Sequence, residues 1–385
     1  MEFTQKGNEA GGIERSVQEA AHAGHHNAPG GASHGLRLLV VGTETAVFQK
    51  DSPIRDRILA YTKRFASTDI IVMSGGHFKE EAIGETVRLY PTNSRFRLQR
   101  IIDAIRLGRK LSRRDVITVQ DPFETGLAGL FIARGRGARL HVQVHTDPFA
   151  LSYAAHSITN FVRLHIALYT LKKADGIRVV SHRVRESIEV RLKPKRPIQV
   201  LPIYVDIERI RHTQPSQEIL AKFSRFETKI LVVARLEPEK NVTLAIGAFI
   251  ASAPESACLI IVGNGSEYEK LKMRAEASAA ANRIFFEGKQ DAAPYYHVAD
   301  LVLVSSRYEG YGLVIIEALA AGKPVLSTDV GIAAEQGVLI AAPETFADTL
   351  HEWFLGGSRS MQLVNYPYRN FQEYVDAYCK DIGAA

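Results

Sequence analysis

The segment with the most chemistry in this chain runs from Ser305-Ser306-Arg307-Tyr308-Glu309-Gly310-Tyr311-Gly312 through Leu313 to Glu317. The apolar run Leu301 to Val304 before it reads as a strand, and Leu313 to Ala321 after it as a helix. Gly310, Tyr311 and Gly312 therefore occupy a turn that opens a helix, where free backbone N–H groups and the positive end of the helix dipole suit a phosphate or a sugar oxygen. Glu309 in the turn and Glu317 in the helix can each accept hydrogen bonds from hydroxyls, so one suits a hexose and the other a ribose. The plainer alternative, that both merely solvate a helix start, fits Glu317 badly, because it falls within an apolar helix that should be buried.

A second candidate is Val232-Val233-Ala234-Arg235-Leu236-Glu237-Pro238-Glu239-Lys240-Asn241, in which a strand delivers Arg235 and, after a short loop, Lys240 to one mouth of a domain. Two fixed cations there can neutralise a diphosphate, although a basic pair in a loop is by itself ordinary surface charge. Ile260-Ile261-Val262-Gly263-Asn264-Gly265-Ser266 lacks the third glycine of a dinucleotide fingerprint, so Gly263 and Gly265 read as a tight turn supporting a nucleotide site. In the first half, Val119-Gln120-Asp121-Pro122-Phe123 and Gln143-Val144-His145-Thr146-Asp147 each follow a predicted strand. His145 and Asp121 are strand-end candidates for a ligand site, while Asp121 and Asp147 serve equally as helix N-caps.

These motifs need a scaffold that brings strand ends together. Apolar runs at Leu36 to Val41, Asp69 to Met73, Asp115 to Val119, Leu140 to Val144, Gly176 to Val180 and Ile198 to Leu201 alternate with stretches of helical period, His182 to Leu192 among them. After a polar stretch at residues 206 to 228 the alternation restarts at Ile230 to Ala234, Cys258 to Val262, Ile284 to Phe286, Leu301 to Val304, Pro324 to Ser327 and Val338 to Ile340. Continuous apolar strands separated by helices indicate parallel sheets covered on both faces, so the fold class is α/β with two Rossmann-like domains facing across a cleft. The expected division is a tail at 1–35, a first domain at 36–205 completed by a returning segment at 363–385, and a second domain at 206–362. Ligands in such sheets bind beyond the carboxyl ends of the strands, where every motif above is expected.

The 385 residues suit two domains, and 46% hydrophobic with 23% charged residues excludes disordered and fibrous classes. No apolar run is long enough for a membrane span and no leader pattern opens the chain, so a cytoplasmic protein is expected. Cys258 and Cys379 stand far apart, which excludes a disulfide framework and a cysteine-based zinc site. Residues 36–205 hold 29 Lys/Arg against 15 Asp/Glu, a balance of +14, whereas residues 206–385 hold 17 against 23. The first domain therefore suits an anionic surface such as lipid headgroups, with the basic helix of Arg95, Arg97, Arg100, Arg106, Arg109 and Lys110 as its contact. Nucleic acid is the rival partner, but no RNA-binding aromatic motif accompanies the basic residues, and none is expected to bind. The tail histidines His22, His25, His26 and His34 lack the fixed geometry a metal site needs.

The paired Glu309 and Glu317, with seven residues between them in a strand-turn-helix setting, resemble the signature of the GT-B retaining glycosyltransferases of family 4. The likeness spans roughly residues 36 to 345 and includes Arg235 and Lys240, which match the family's diphosphate-binding pair, and His145, which matches a histidine lining the cleft near the transferred sugar. It implies transfer of a sugar from a nucleotide-diphosphate sugar to a glycan or lipid-linked acceptor, with His145 and Glu309 at the reacting centre. Arg235, Lys240, Gly263, Gly310, Tyr311, Gly312 and Glu317 would bind the donor. The glycine loop that many members place after their first strand has a counterpart only in Gly11-Gly12-Ile13-Glu14-Arg15, where no strand precedes it, and the loop from Gly42 to Pro53 lacks the pair. The sequence holds no Asp-x-Asp pair, so no metal or other cofactor is expected. A nucleotide-sugar epimerase of the same fold is the nearest alternative activity.

Overall fold

The computed structural model describes residues 35–150, 153, 157–194 and 196–385. The expectations for residues 1–34, including the histidines of the tail and the glycine pair at 11–12, lie outside the described residues.

Two sheets carry the chain. The first contains β1 (Arg37–Gly42), β2 (Ser67–Val72), β3 (Glu81–Ile83), β4 (Val87–Pro91), β5 (Val116–Val119), β6 (Arg139–Val144), β7 (Gly176–Val179) and β8 (Gln199–Val200). Their order is β3-β4-β2-β1-β5-β6-β7-β8, parallel throughout except for the antiparallel pair β3 and β4. The second contains β9 (Thr228–Val233), β10 (Ala257–Val262), β11 (Ile284–Gly288), β12 (Leu301–Val304), β13 (Val325–Ser327) and β14 (Leu339–Ile340), ordered β11-β10-β9-β12-β13-β14 and all parallel.

Helices cover both faces of each sheet, and the apolar runs record this. In β1, Leu39 and Val41 pack into one cluster while Leu38 and Val40 pack into the cluster on the other side. In β9, Leu231 faces one core while Ile230 and Val232 face the other. A strand buried on both faces has no polar side to alternate, so it is written as continuous Val, Ile and Leu.

The last helix, Phe371–Ala384, starts at Asn370, whose side chain accepts from Glu373 N. It sets Tyr374, Val375, Tyr378, Cys379 and Ile382 against Leu38 and Val40, so the chain ends on the first sheet after completing the second. Polar ties reinforce this return: His141 meets Asp381 at 3.0 Å and Arg64 meets Asp376 at 2.7 Å. Both cysteines are buried free thiols.

The observed structure adds elements to those expected. The β3–β4 hairpin has no apolar run to announce it, because β3 is an edge strand bearing Glu81 and turning at Gly84. The polar stretch at 206–228 contains two short helices, Ile207–His212 and Gln217–Phe223, whose N-caps Asp206 and Ser216 supply the missing backbone acceptors. The helix after β10 runs over Tyr268–Glu276.

Candidate active site

A cavity of about 490 Å³ opens between the two sheets, beyond the carboxyl ends of β6, β9, β10, β11 and β12. It is lined by His145, Arg235, Lys240, Gly263, Glu309, Gly310, Tyr311, Gly312 and Glu317, so all the expected site residues except Asp121 converge on it. Asp121 sits off the cavity in a turn after β5, where its carboxylate accepts from Phe123 N at 2.8 Å and burial raises its pKa.

The cation loop and the glutamate loop are bound together. Lys240 Nζ lies 2.5 Å from Glu309 Oε1, with side chains only 18% and 16% exposed, and Ser306 Oγ donates to the same carboxylate oxygen at 2.8 Å. Ser305 Oγ donates to the Lys240 carbonyl at 3.0 Å and Arg307 N to the Glu239 carbonyl at 2.8 Å, which fixes the two loops as one wall. Arg235 is the exposed cation by comparison: its side chain is 72% exposed and pairs with Glu239 at 3.1 Å.

Glu317 projects from the helix Leu313–Ala320 and accepts from the Tyr296 hydroxyl at 2.6 Å. This partner explains how a carboxylate persists in an apolar helix. Burial raises its pKa, and the Tyr296 hydrogen bond works against that rise. The turn at Gly263 (φ +146°) presses against the neighbouring strand end: a Cβ there would fall 1.8 Å from the Ala234 carbonyl oxygen, so this wall of the cavity requires glycine.

The first domain closes on the same loop. Gly310 lies so near strand β6's end that a Cβ on it would meet the His145 carbonyl oxygen at 1.6 Å. Ser181 Oγ donates to the Gly310 carbonyl at 3.2 Å, and Tyr308 packs edge-on against Tyr153, with ring centres 5.8 Å apart. Arg183 bridges to the Asp329 carboxylate and receives support from Glu335, which accepts from its backbone N–H.

His145 keeps part of its surface on the cavity, yet the atoms around it push its pKa down to about 3, through burial first and then the positive charges of Arg178 and Arg57. Arg178 is itself 1% exposed beneath the sheet, donating to Gln143 Oε1 at 2.9 Å and to the Leu201 carbonyl at 3.0 Å and stacking over Tyr378. The imidazole is therefore neutral in the folded protein at ordinary pH, able to accept a hydrogen bond or donate one but carrying no charge.

The cavity also includes residues that sequence reasoning did not select. Lys289 and Gln290 follow β11 directly, adding a third cation to the wall, and Thr146 and Ser306 add hydroxyls. Position at a strand end, directly after Gly288 (φ +69°), was the available signal for Lys289. Chemically, the arrangement offers three cations for an anionic leaving group, two carboxylates for hydroxyls, an apolar floor of Val232, Val262, Leu303 and Val304, and a neutral imidazole from the opposite domain.

Comparison with known proteins gives concordant matches. The family model described as Glycosyl transferases group 1 matches residues 227–354, and that described as Glycosyltransferase Family 4 matches residues 57–209. N-acetyl-alpha-D-glucosaminyl L-malate synthase of Bacillus anthracis is 27% identical over 201 residues, covering 51% of this chain and 51% of that protein. Alpha-monoglucosyldiacylglycerol synthase of Streptococcus pneumoniae is 27% identical over 231 residues, covering 55% of this chain and 51% of that protein. The chain thus spans about half the length of these curated relatives in the matched regions. Among solved structures, Anabaena HepE in complex with UDP and glucose aligns over 90% of this chain and 95% of its own, with a TM-score of 0.65 at 16% identity. Sucrose-phosphate synthase from Thermosynechococcus elongatus aligns over 90% and 96%, with a TM-score of 0.67 at 17% identity. These structural likenesses show the GT-B fold.

Proposed function

Because the chain belongs to the family 4 glycosyltransferases, we propose that it moves a sugar from a nucleotide-diphosphate sugar to a glycan or lipid-linked acceptor, with retention of anomeric configuration. The observation that carries this reading is the single cavity in which Arg235, Lys240, Glu309 and Glu317 of the second domain meet His145 of the first. The relatives lend support by what they are: one named as a glucosaminyl malate synthase, another as a monoglucosyldiacylglycerol synthase, and a structural neighbour holding UDP and glucose.

In the proposed reaction the nucleotide lies over the apolar floor with its ribose at Glu317 and its diphosphate against Arg235, Lys240 and the N–H groups around Gly310 to Gly312. The bond between the anomeric carbon and the diphosphate oxygen breaks, and an acceptor hydroxyl attacks the same face as the glycosidic bond forms. The acceptor proton passes to the departing phosphate oxygen, and the cations stabilise the negative charge that develops there. Glu309 holds sugar hydroxyls, and neutral His145 orients the sugar without adding a positive charge beside an oxocarbenium-like carbon. The scheme calls for no divalent metal, because the cations are assigned the task of neutralising the diphosphate.

No helix among the described residues is long and apolar enough to cross a membrane. The basic first domain suits peripheral attachment to an anionic membrane face from the cytoplasm, which would bring a lipid-linked acceptor to the cleft.

A thermal-shift panel of nucleotides and nucleotide sugars tests the donor assignment, because a ligand at ~100 times its Kd raises folded-state stability by ~2.7 kcal/mol. The best stabiliser is then offered with candidate acceptors, with the product read by NMR. Retention and full activity in EDTA are expected. An inverted product, activity restored only by added magnesium or manganese, or acceptor-free conversion of the nucleotide sugar to its epimer would replace the scheme.

A further inference from the structure

Strands β2 and β4 run parallel to β6, so their carboxyl ends lie on the same edge of the first sheet as His145. Three to four strand spacings separate them, which places the loops at 73–78 and 92–94 roughly 15–20 Å from the reacting centre. Arg100, near the start of the helix Arg97–Lys110, points its guanidinium into these loops: a Cβ on Gly75 would lie 2.7 Å from Arg100 Nη2. Arg100 Nε is buried without a partner, and among the described residues none of the guanidinium nitrogens has a hydrogen bond or an ion pair. The nearby carboxylate of Asp103 is occupied, accepting from Ser94 Oγ at 2.8 Å and facing Arg106 at 3.5 Å.

The loops around Arg100 are held firmly by their own hydrogen bonds. Asn93 brackets Phe78, accepting from its N–H at 3.1 Å and donating to its carbonyl at 2.8 Å. Ser74 N donates to Thr92 Oγ1 at 3.0 Å, and Ser94 N to the Ser74 carbonyl at 2.9 Å. Gly75 and Gly76 leave the backbone bare beneath the guanidinium. Exposed Arg95 stands in the adjoining turn, and exposed Arg97 opens the helix. A charged fork left unpaired over the bare Gly75–Gly76 backbone of a fixed loop is arranged for an anion from outside, and arginine offers parallel N–H donors to phosphate oxygens.

We propose that Arg100, with the Gly75–Gly76 backbone, is a subsite for a phosphoryl group carried by the acceptor at its end remote from the hydroxyl that is glycosylated. This rests on the glycosyltransferase reading for the word acceptor, while the anion site itself stands on Arg100. The extra charge of Arg95 and Arg97 favours a phosphoryl group over a single carboxylate. Such an acceptor is either a soluble phosphate ester or a phospholipid headgroup.

The test uses the full chain saturated with UDP or GDP, whichever raises its melting temperature, so that the donor cavity is filled. Inorganic phosphate is titrated calorimetrically into wild type, Arg100→Gln and Arg100→Lys. Saturable binding to wild type, weakened at least tenfold in Arg100→Gln and partly restored in Arg100→Lys, with nucleotide affinity unchanged throughout, is expected. Equal phosphate binding by wild type and Arg100→Gln, or no saturable binding by wild type, overturns the proposal. Competition by glycerol 3-phosphate identifies a soluble acceptor, competition by phosphatidate-containing vesicles but not by phosphatidylcholine vesicles identifies a membrane one, and competition by neither also overturns it. Failure of every nucleotide to bind would sink the glycosyltransferase reading alone, since the phosphate titration can then be run without a nucleotide.

Discussion

Lys240 and Glu309 form an ion pair across the wall of the cavity, Nζ to Oε1 at 2.5 Å, although one comes from the loop after β9 and the other from the loop after β12. The cation suited to a diphosphate is thus held by the carboxylate suited to a sugar. A bound donor would have to insert its phosphate charge beside Lys240 while Glu309 turns to hydroxyls, so the two residues should separate in variants. Lys240→Ala and Arg235→Ala are each expected to weaken nucleotide binding tenfold or more, the loss of one charge-assisted contact at ~1.5–3 kcal/mol. Glu309→Gln frees Lys240, so it should keep nucleoside diphosphate affinity while turnover falls by roughly a hundredfold or more. Calorimetry and initial rates on the three proteins check this, and a Glu309→Gln protein with normal turnover would contradict it.

Gly310→Ala places a methyl group where the His145 carbonyl oxygen already is, at 1.6 Å. Neither side of that contact is a flexible side chain, so the two domains or the loop must move. The variant should lose most of its activity, and because buried Tyr311 beside it packs into a core of the second domain, its melting temperature should fall as well. Small-angle scattering is expected to show a more open particle, and a fully active Gly310→Ala protein would show that this closeness is not needed for transfer.

The sequence made the scaffold readable for a physical reason: strands buried on both faces, such as β1 and β9, are continuous apolar runs, and the helix His182–Leu192 stands where its apolar spacing put it. The candidate site was readable where chemistry follows a strand, as for Arg235, Lys240, Glu309 and His145. What could not be read is pairing between distant segments. Nothing local in Glu309 indicates Lys240, nothing in Glu317 indicates the Tyr296 hydroxyl, and Gly310 gives no sign of Ser181. The β3–β4 hairpin escaped notice because β3 is a three-residue edge strand with no buried side chain, and its partner β4 interrupts buried Val87 and Leu89 with exposed Arg88.

The depressed pKa of His145, about 3, carries a stability consequence of definite sign. Between that value and the ordinary 6.5 the unfolded chain holds a proton on this imidazole that the folded chain lacks, so stability falls as pH drops through the window. Above 6.5 the group is neutral in both states and contributes nothing to the slope. Asp121, Asp147 and Glu317, whose pKa values burial raises, act with the opposite sign, so the comparison must be between variants. Urea unfolding of wild type and His145→Asn across pH is expected to show a shallower acid loss in the variant. Identical slopes would mean that His145 titrates normally in the folded protein.

Glu317 and Tyr296 allow nucleotide recognition to be distinguished from packing. Tyr296→Phe deletes the hydroxyl that donates at 2.6 Å and should cost about 1 kcal/mol of stability, with nucleotide affinity falling less than about threefold. Glu317→Gln keeps an oxygen for Tyr296 but halves the capacity to accept from ribose hydroxyls, so affinity should fall about tenfold with little loss of stability. A reversal of that pattern, with the tyrosine controlling affinity, would make Glu317 a packing residue.

The basic first domain also exposes apolar side chains on two helices. Leu98, 77% exposed, accompanies Phe96 and Ile102 beside Arg95, Arg97, Arg106 and Arg109, and Ile158, 86% exposed, accompanies Phe161 and Val162 on the helix Ile158–Leu171. Apolar residues interleaved with arginine suit an anionic bilayer, where each basic residue near the surface contributes about 1 kcal/mol and the apolar side chains enter the headgroup layer. Flotation with anionic vesicles should succeed at low salt and weaken at high salt. Leu98→Glu with Ile102→Glu should abolish it at either salt while nucleotide binding is unchanged, because these side chains face away from both cores. Equal flotation with neutral vesicles would make the attachment purely apolar, and no flotation at low salt would leave the charge of this domain without a membrane role.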